Sequence, residues 1–144
     1  MRVLITGHNG YIGSVLAPTV AAAGHRVVGV DSYLFEDCSL GEDVVALESW
    51  RRDIRDLQAS DLAGFDAIMH LAALSNDPLG NVNPACTFDI NHIASVHLAR
   101  LAKEVNRQAA MIGYLDAFAL YTVASAAAIL LVLLVSRRRR GAGA

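Results

Sequence analysis

Thr6-Gly7-His8-Asn9-Gly10-Tyr11-Ile12-Gly13 carries the strongest chemical signal in these 144 residues. Glycines spaced three apart, directly after a short apolar run and opening a helical stretch, let the chain turn sharply and bring backbone N–H groups close to an anion. The helix that follows points its unpaired donors and positive dipole end at the same place, which suits the pyrophosphate of a dinucleotide. Asp31 lies 18 residues after Gly13, where the next apolar run ends. A carboxylate there can accept from both hydroxyls of an adenosine ribose and repels a 2′-phosphate, so the expected cofactor is NAD rather than NADP.

The elements that must hold these residues are legible as alternating strands and helices. Val3–Ile5, Arg26–Val30 and Phe65–Leu71 read as buried strands, and Glu48–Arg52 as a weaker one. Tyr11–Ala23, about Asp56–Leu62, and Pro84–Val105 read as helices; Gly24 closes the first and Asn83-Pro84 opens the last. Apolar strands alternating with helices imply an α/β fold whose parallel sheet is covered on both faces. The run Arg2–Ile5 is too short for a signal peptide and ends at Thr6-Gly7.

With these residues in place, the chain resembles the extended short-chain dehydrogenase/reductase family, the NAD-dependent epimerases and dehydratases of nucleotide sugars. The TGxxGxxG spacing carries the resemblance. Asp53-Ile54 is similar to that family's adenine-contacting pair, and His70-Leu71-Ala72-Ala73 to its H-x-A-A segment along the cofactor. Asn91 matches an Asn that braces the central strands. Over residues 1–105 the resemblance implies a truncated Rossmann fold of strand order 3-2-1-4. It also implies bound NAD, held by Gly7, Asn9, Gly10, Tyr11, Ile12, Gly13, Asp31, Asp53, Ile54, Leu71, Ala72 and Ala73, with a nucleotide sugar as the family's substrate. Taken singly, His70, Ala72-Ala73, Asp53 and Asp56 read equally well as ordinary strand-end, loop and helix-start residues.

The family's chemistry needs a Tyr and a Lys four residues apart, the Lys lowering the phenol's pKa so that it takes a hydroxyl proton as hydride leaves. Lys103 is the only lysine here, and no Tyr-x-x-x-Lys occurs in the sequence. No catalytic residue is therefore assigned, and no metal ligand set either: Cys38 and Cys86 lie far apart, as two plain thiols of a reducing compartment would. In strand order 3-2-1-4 the fourth strand becomes an edge, which invites self-association.

The remaining residues have a different character. Residues 1–107 carry eight Lys/Arg against thirteen Asp/Glu, a net −5 that argues against a nucleic-acid partner, whereas residues 108–144 carry +3. Ala117–Val135 is a 19-residue stretch without a charge; as a helix it would span about 28 Å, a bilayer's hydrocarbon thickness. Arg137–Arg140 follow as a stop-transfer cluster would.

The sequence thus divides into a partial NAD-binding domain (1–105), a junction (106–116), a hydrophobic, transmembrane-type helix (117–135) and a basic tail (136–144). Beyond residue 107 it resembles the last membrane helix of a major-facilitator drug efflux transporter, as if two reading frames had been joined. Two functions follow: an NAD-binding half of a nucleotide-sugar epimerase/dehydratase, inactive alone and cytoplasmic, or a membrane-tethered NAD-binding module without catalysis.

Overall fold

A computed structural model describes residues 1–36, 47–75 and 77–141, with side chains as far as Ile129 except those of Asp77 and Leu79. Residues 37–46, including Cys38, lie outside the described residues, as do the side chains of Arg137–Arg140. The chain forms two compact units, Met1–Val105 and Asn106–Ala144.

In the first unit four parallel strands, β1 (Arg2–Thr6), β2 (Arg26–Asp31), β3 (Glu48–Arg51) and β4 (Ala67–His70), pair in the order β3-β2-β1-β4. The register sets Leu4 opposite both Val28 and Ile68. Alternate residues of β1 serve opposite faces, as the period of two requires. Val3, Ile5 and Val27 are buried with Ala17 of α1 (Gly13–Ala22). On the other face Leu4, Val28 and Val30 are buried with Ile54, Leu57, Leu62, Ala94 and Leu98. The two covered faces explain why β1 and β2 are apolar almost throughout.

Several boundaries differ from the sequence reading. The first helix begins at Gly13, not Tyr11, because residues 7–12 are taken up by the turn. The stretch 56–62 divides into a 3-10 turn (Ile54–Asp56) and α2 (Ala59–Leu62), with Asp53 capping the former by accepting from the Arg55 amide. An additional short helix, α3 (Asp77–Val82), precedes α4 (Pro84–Phe88). The expected helix 84–105 is interrupted by a π-helical turn (Asp89–Ile93) before α5 (Ala94–Gly141).

α5 does not stop at Val105. Nothing in QAAMIGYLDAFAL breaks a helix except the single Gly113, so the backbone continues through the expected junction. The second unit, over its described residues, is α-helix. It exposes large apolar side chains, among them Phe118, Leu120, Tyr121 and Val123, and is long and apolar enough to cross a membrane.

Candidate functional site

The glycine turn is fixed by close backbone contacts. Gly7 stands at φ +73°, and a Cβ placed there would lie 2.6 Å from the Ala72 nitrogen, so no other residue fits without moving the chain that leaves β4. The Gly7 amide donates to the Val30 carbonyl at 2.7 Å and the Gly10 amide to the Gly7 carbonyl at 3.1 Å. A Cβ on Gly13 would meet the Gly7 carbonyl oxygen at 2.1 Å, so α1 begins pressed against the turn. The first-turn amides of α1 are partly taken up by the turn itself: Ser14 N–H donates to the Gly10 carbonyl at 2.9 Å and Leu16 N–H to the Ile12 carbonyl at 3.0 Å.

Asp31 ends β2 facing this turn. Its Oδ2 accepts from the Asn9 amide at 3.0 Å and its Oδ1 from the Tyr33 amide at 2.8 Å. Each oxygen retains a second lone pair for a further donor.

Asp53 follows β3. The Arg55 guanidinium holds it from two sides, Nε to Oδ1 at 3.0 Å and Nη2 to Oδ2 at 2.7 Å, and Asp89 in turn holds Arg55 at 2.9 Å. The hydrogen bonds from Arg55 keep the Asp53 carboxyl below the usual carboxylate range, against the opposing effect of partial burial. The neighbouring Ile54 is buried in the core.

The chain leaving β4 is tied to β1: Leu71 N–H donates to the Thr6 carbonyl at 3.0 Å, and Ala72 N–H reaches Thr6 Oγ1 at 3.5 Å. His70 bridges Thr6 Oγ1 (2.7 Å) and Ser95 Oγ (2.8 Å), and burial pushes its pKa down. Asn91 does not brace the central strands as the resemblance implied. Its amide instead grips the backbone of Leu74, two residues past the Ala72-Ala73 pair.

These pieces meet in one cleft of about 130 Å³. Of the twelve residues expected to hold the cofactor, Gly7, Gly10, Asp31, Asp53, Ile54, Leu71, Ala72 and Ala73 line it. Asn9 contributes its amide to Asp31, Gly13 packs behind the turn, and Tyr11 and Ile12 are exposed outside the lining. The sequence reading missed Ser32, Leu34, Phe35, Arg52, Leu74 and Ile90, which also line the cleft. Leu34 and Phe35 follow Asp31 closely, and their apolar character in a polar loop was the available signal. Leu74 also borders a larger, open depression of about 680 Å³ with Ser75, Asn81, Thr87, Phe88 and His92. Among the described residues no three His, Cys, Asp or Glu side chains cluster as a metal site would require.

Residues 3–125 match the sequence profile of the NAD dependent epimerase/dehydratase family. The chain belongs to that family. Among similar curated proteins, the UDP-glucose 4-epimerase of Mycolicibacterium smegmatis is 34% identical over 112 residues, covering 72% of this chain and 35% of that protein. UDP-glucuronic acid decarboxylase 1 of Danio rerio is 31% identical over 104 residues, covering 72% and 25%. Among solved structures, the UDP-glucose-4-epimerase from Stenotrophomonas maltophila with bound NAD and formylated UDP-arabinopyranose superposes with a TM-score of 0.63 at 32% identity, covering 74% of this chain and 34% of that one. The NAD dependent NDP-hexosamine 5,6-dehydratase TunA of tunicamycin biosynthesis gives 0.65 at 27%, covering 73% and 34%.

The chain spans about a third of the length of the M. smegmatis epimerase. The family match runs to residue 125, past residue 107 where the sequence resemblance was placed to end. The transporter resemblance of the tail gains no support from these relatives.

Proposed function

We propose that the cleft binds NAD and that the chain is the dinucleotide-binding part of a nucleotide-sugar epimerase or dehydratase. The observation that carries this reading is the convergence of the glycine turn, Asp31, Asp53-Ile54 and Leu71–Ala73 on one cleft. The residues suit the ligand. A turn with no room for a Cβ at Gly7 and Gly13 leaves backbone rather than side chains facing the diphosphate. Asp31 keeps acceptor capacity for the adenosine ribose, Asp53-Ile54 would border the adenine, and Leu71–Ala73 the middle of the dinucleotide.

NAD when bound supplies a hydride acceptor. What these 144 residues do not supply is the Tyr-x-x-x-Lys pair that removes the substrate proton in such enzymes. The chain alone is accordingly a binder without turnover. Calorimetry with NAD, run beside assays on UDP-sugars, tests both halves: saturable binding without epimerisation is expected. Epimerisation would refute the second half, and absence of NAD binding the first.

A second reading, a membrane-tethered NAD-binding module, is favoured by one observation, the exposed apolar surface of the second unit. Retention of the protein on membranes through a carbonate wash supports it; release into the wash counts against it. The edge of β4, which pairs with β1 alone among the described strands, is where two copies would associate. Sedimentation of the chain tests that association.

A further inference from the structure

The diphosphate role of the glycine turn accounts for its glycines and leaves His8 unexplained. His8 is only 5% exposed, and its imidazole stands directly on the backbone of β2. A Cβ built on Gly29 would lie 2.3 Å from the His8 Cγ and 2.4 Å from its Cδ2, so Gly29 is the socket for this ring. Tyr33 meets the ring edge-on, with centroids 5.6 Å apart and planes at 81°.

The Tyr33 hydroxyl lies 3.2 Å from His8 Nε2 and donates to Ser49 Oγ at 3.0 Å. With that proton committed to Ser49, we assign His8 the tautomer whose Nε2–H donates to the Tyr33 oxygen. The Nδ1 is then left buried without a partner among the described residues. The Arg51 guanidinium stacks 4.8 Å over the Tyr33 ring and is itself paired with Glu36.

The sequence neighbours of this pair explain its placing. Asn9, next to His8, gives its amide to one oxygen of Asp31; Tyr33 gives its own amide to the other. Tyr33 does so from φ +57°, a backbone conformation uncommon outside glycine. The ring contact therefore joins the two backbone segments that together aim the Asp31 carboxylate.

We propose that His8 and Tyr33, seated on Gly29, form a clasp that positions Asp31 for the adenosine ribose of the dinucleotide. The proposal rests on the NAD reading above. It makes His8 and Tyr33 positioning residues, acting through Asp31 without themselves touching the ligand.

The test compares NAD with its analogue lacking the 2′-hydroxyl of the adenosine ribose, titrated into the full chain and its variants. Tyr33→Phe keeps the ring and removes the hydrogen bond; it should weaken NAD about three- to tenfold, the effect of one hydrogen bond. The deoxy analogue, which keeps only the 3′-hydroxyl for Asp31, should lose distinctly less affinity in the variant than NAD does. Gly29→Ala should lower the thermal midpoint by displacing His8. Adding His8→Gly to Gly29→Ala should restore the midpoint but not NAD affinity, which separates the clasp from a purely structural role. NAD binding by the unaltered chain with unchanged affinity in Tyr33→Phe and His8→Gly would overturn the clasp alone, as would equal losses for NAD and the deoxy analogue. Absence of NAD binding by the unaltered chain would overturn the cofactor reading and the clasp with it.

Discussion

Asn91 holds Leu74 by both backbone groups: its Oδ1 accepts from the Leu74 N–H and its Nδ2 donates to the Leu74 carbonyl, each at 2.8 Å. Such a pairing does for a loop residue what a neighbouring strand does for a β residue. It fixes the chain just beyond Ala72-Ala73, between the cleft and the open depression that both border Leu74. Asn91 comes from the π-helical turn, and Asp89 of the same turn holds Arg55, which in turn holds Asp53 of the cleft. The irregularity in the helix thus serves two loops of the site, a common use of π-turns.

Asn91→Ala removes both bonds and should cost about 1 kcal/mol of stability in urea unfolding, since water replaces part of what is lost at an exposed residue. Asn91→Asp keeps the acceptor but loses the donor, and should fall between the two. An unchanged urea midpoint in Asn91→Ala would show that Leu74 is held by other contacts.

Gly7 and Gly10 should respond differently to the same added methyl. Gly7→Ala meets the Ala72 backbone at 2.6 Å from a positive φ, so the fold itself should suffer, by about 2 kcal/mol or more. At Gly10 the nearest atom is the Gly7 oxygen at 3.3 Å, a contact that small shifts relieve. Gly10→Ala should keep nearly the parent thermal midpoint yet weaken NAD at least about tenfold, because the methyl joins a wall of the cleft. Parallel calorimetry and thermal unfolding of both variants distinguish the two effects.

The sequence disclosed what depends on local pattern. β1 and β2 announced themselves as apolar runs, and the glycine spacing placed the turn that faces Asp31. The continuation of α5 past Val105 was legible too, since the residues from Asn106 to Asp116 include no proline and only Gly113 as a weak breaker. No breaker stands at Val105, where the helix was expected to end. Other features depend on which distant groups meet. Nothing local says that His8 will rest on Gly29, that Asn91 will find Leu74, or that Arg55 will reach Asp89. The π-turn at Asp89–Ile93 left no distinct sequence mark, because weak helix residues such as Asp, Asn and His do not distinguish a π-turn from an α-helical one.

His70 predicts a pH dependence. Burial lowers its pKa below the ordinary imidazole value of about 6.5, so the folded state binds its proton less readily than the unfolded chain does. The associated stability is complete above pH 6.5 and is lost as pH falls through the lower folded value. The urea midpoint should therefore drop between pH 7.5 and 5.5, and His70→Gln should flatten that drop. A His70→Gln profile parallel to that of the unaltered chain would contradict the assignment.

Asp53 acts at lower pH with the same sign. Its carboxyl, held down by Arg55, contributes stability that is present above the usual carboxylate range and lost as pH falls through its depressed value. Arg55→Met should make the urea midpoint less sensitive to pH between 5 and 3, by a small amount because both side chains are partly exposed. Chemical-shift titration of Asp53 reads the change directly: its midpoint should rise in the variant.

The most direct measurement is calorimetric titration of NAD and NADP into the unaltered chain and into Asp31→Ala. One-to-one binding of NAD, with NADP weaker and NAD affinity reduced at least about tenfold in Asp31→Ala, is the predicted result. No heat with NAD, or an affinity indifferent both to the 2′-phosphate and to loss of Asp31, would contradict it.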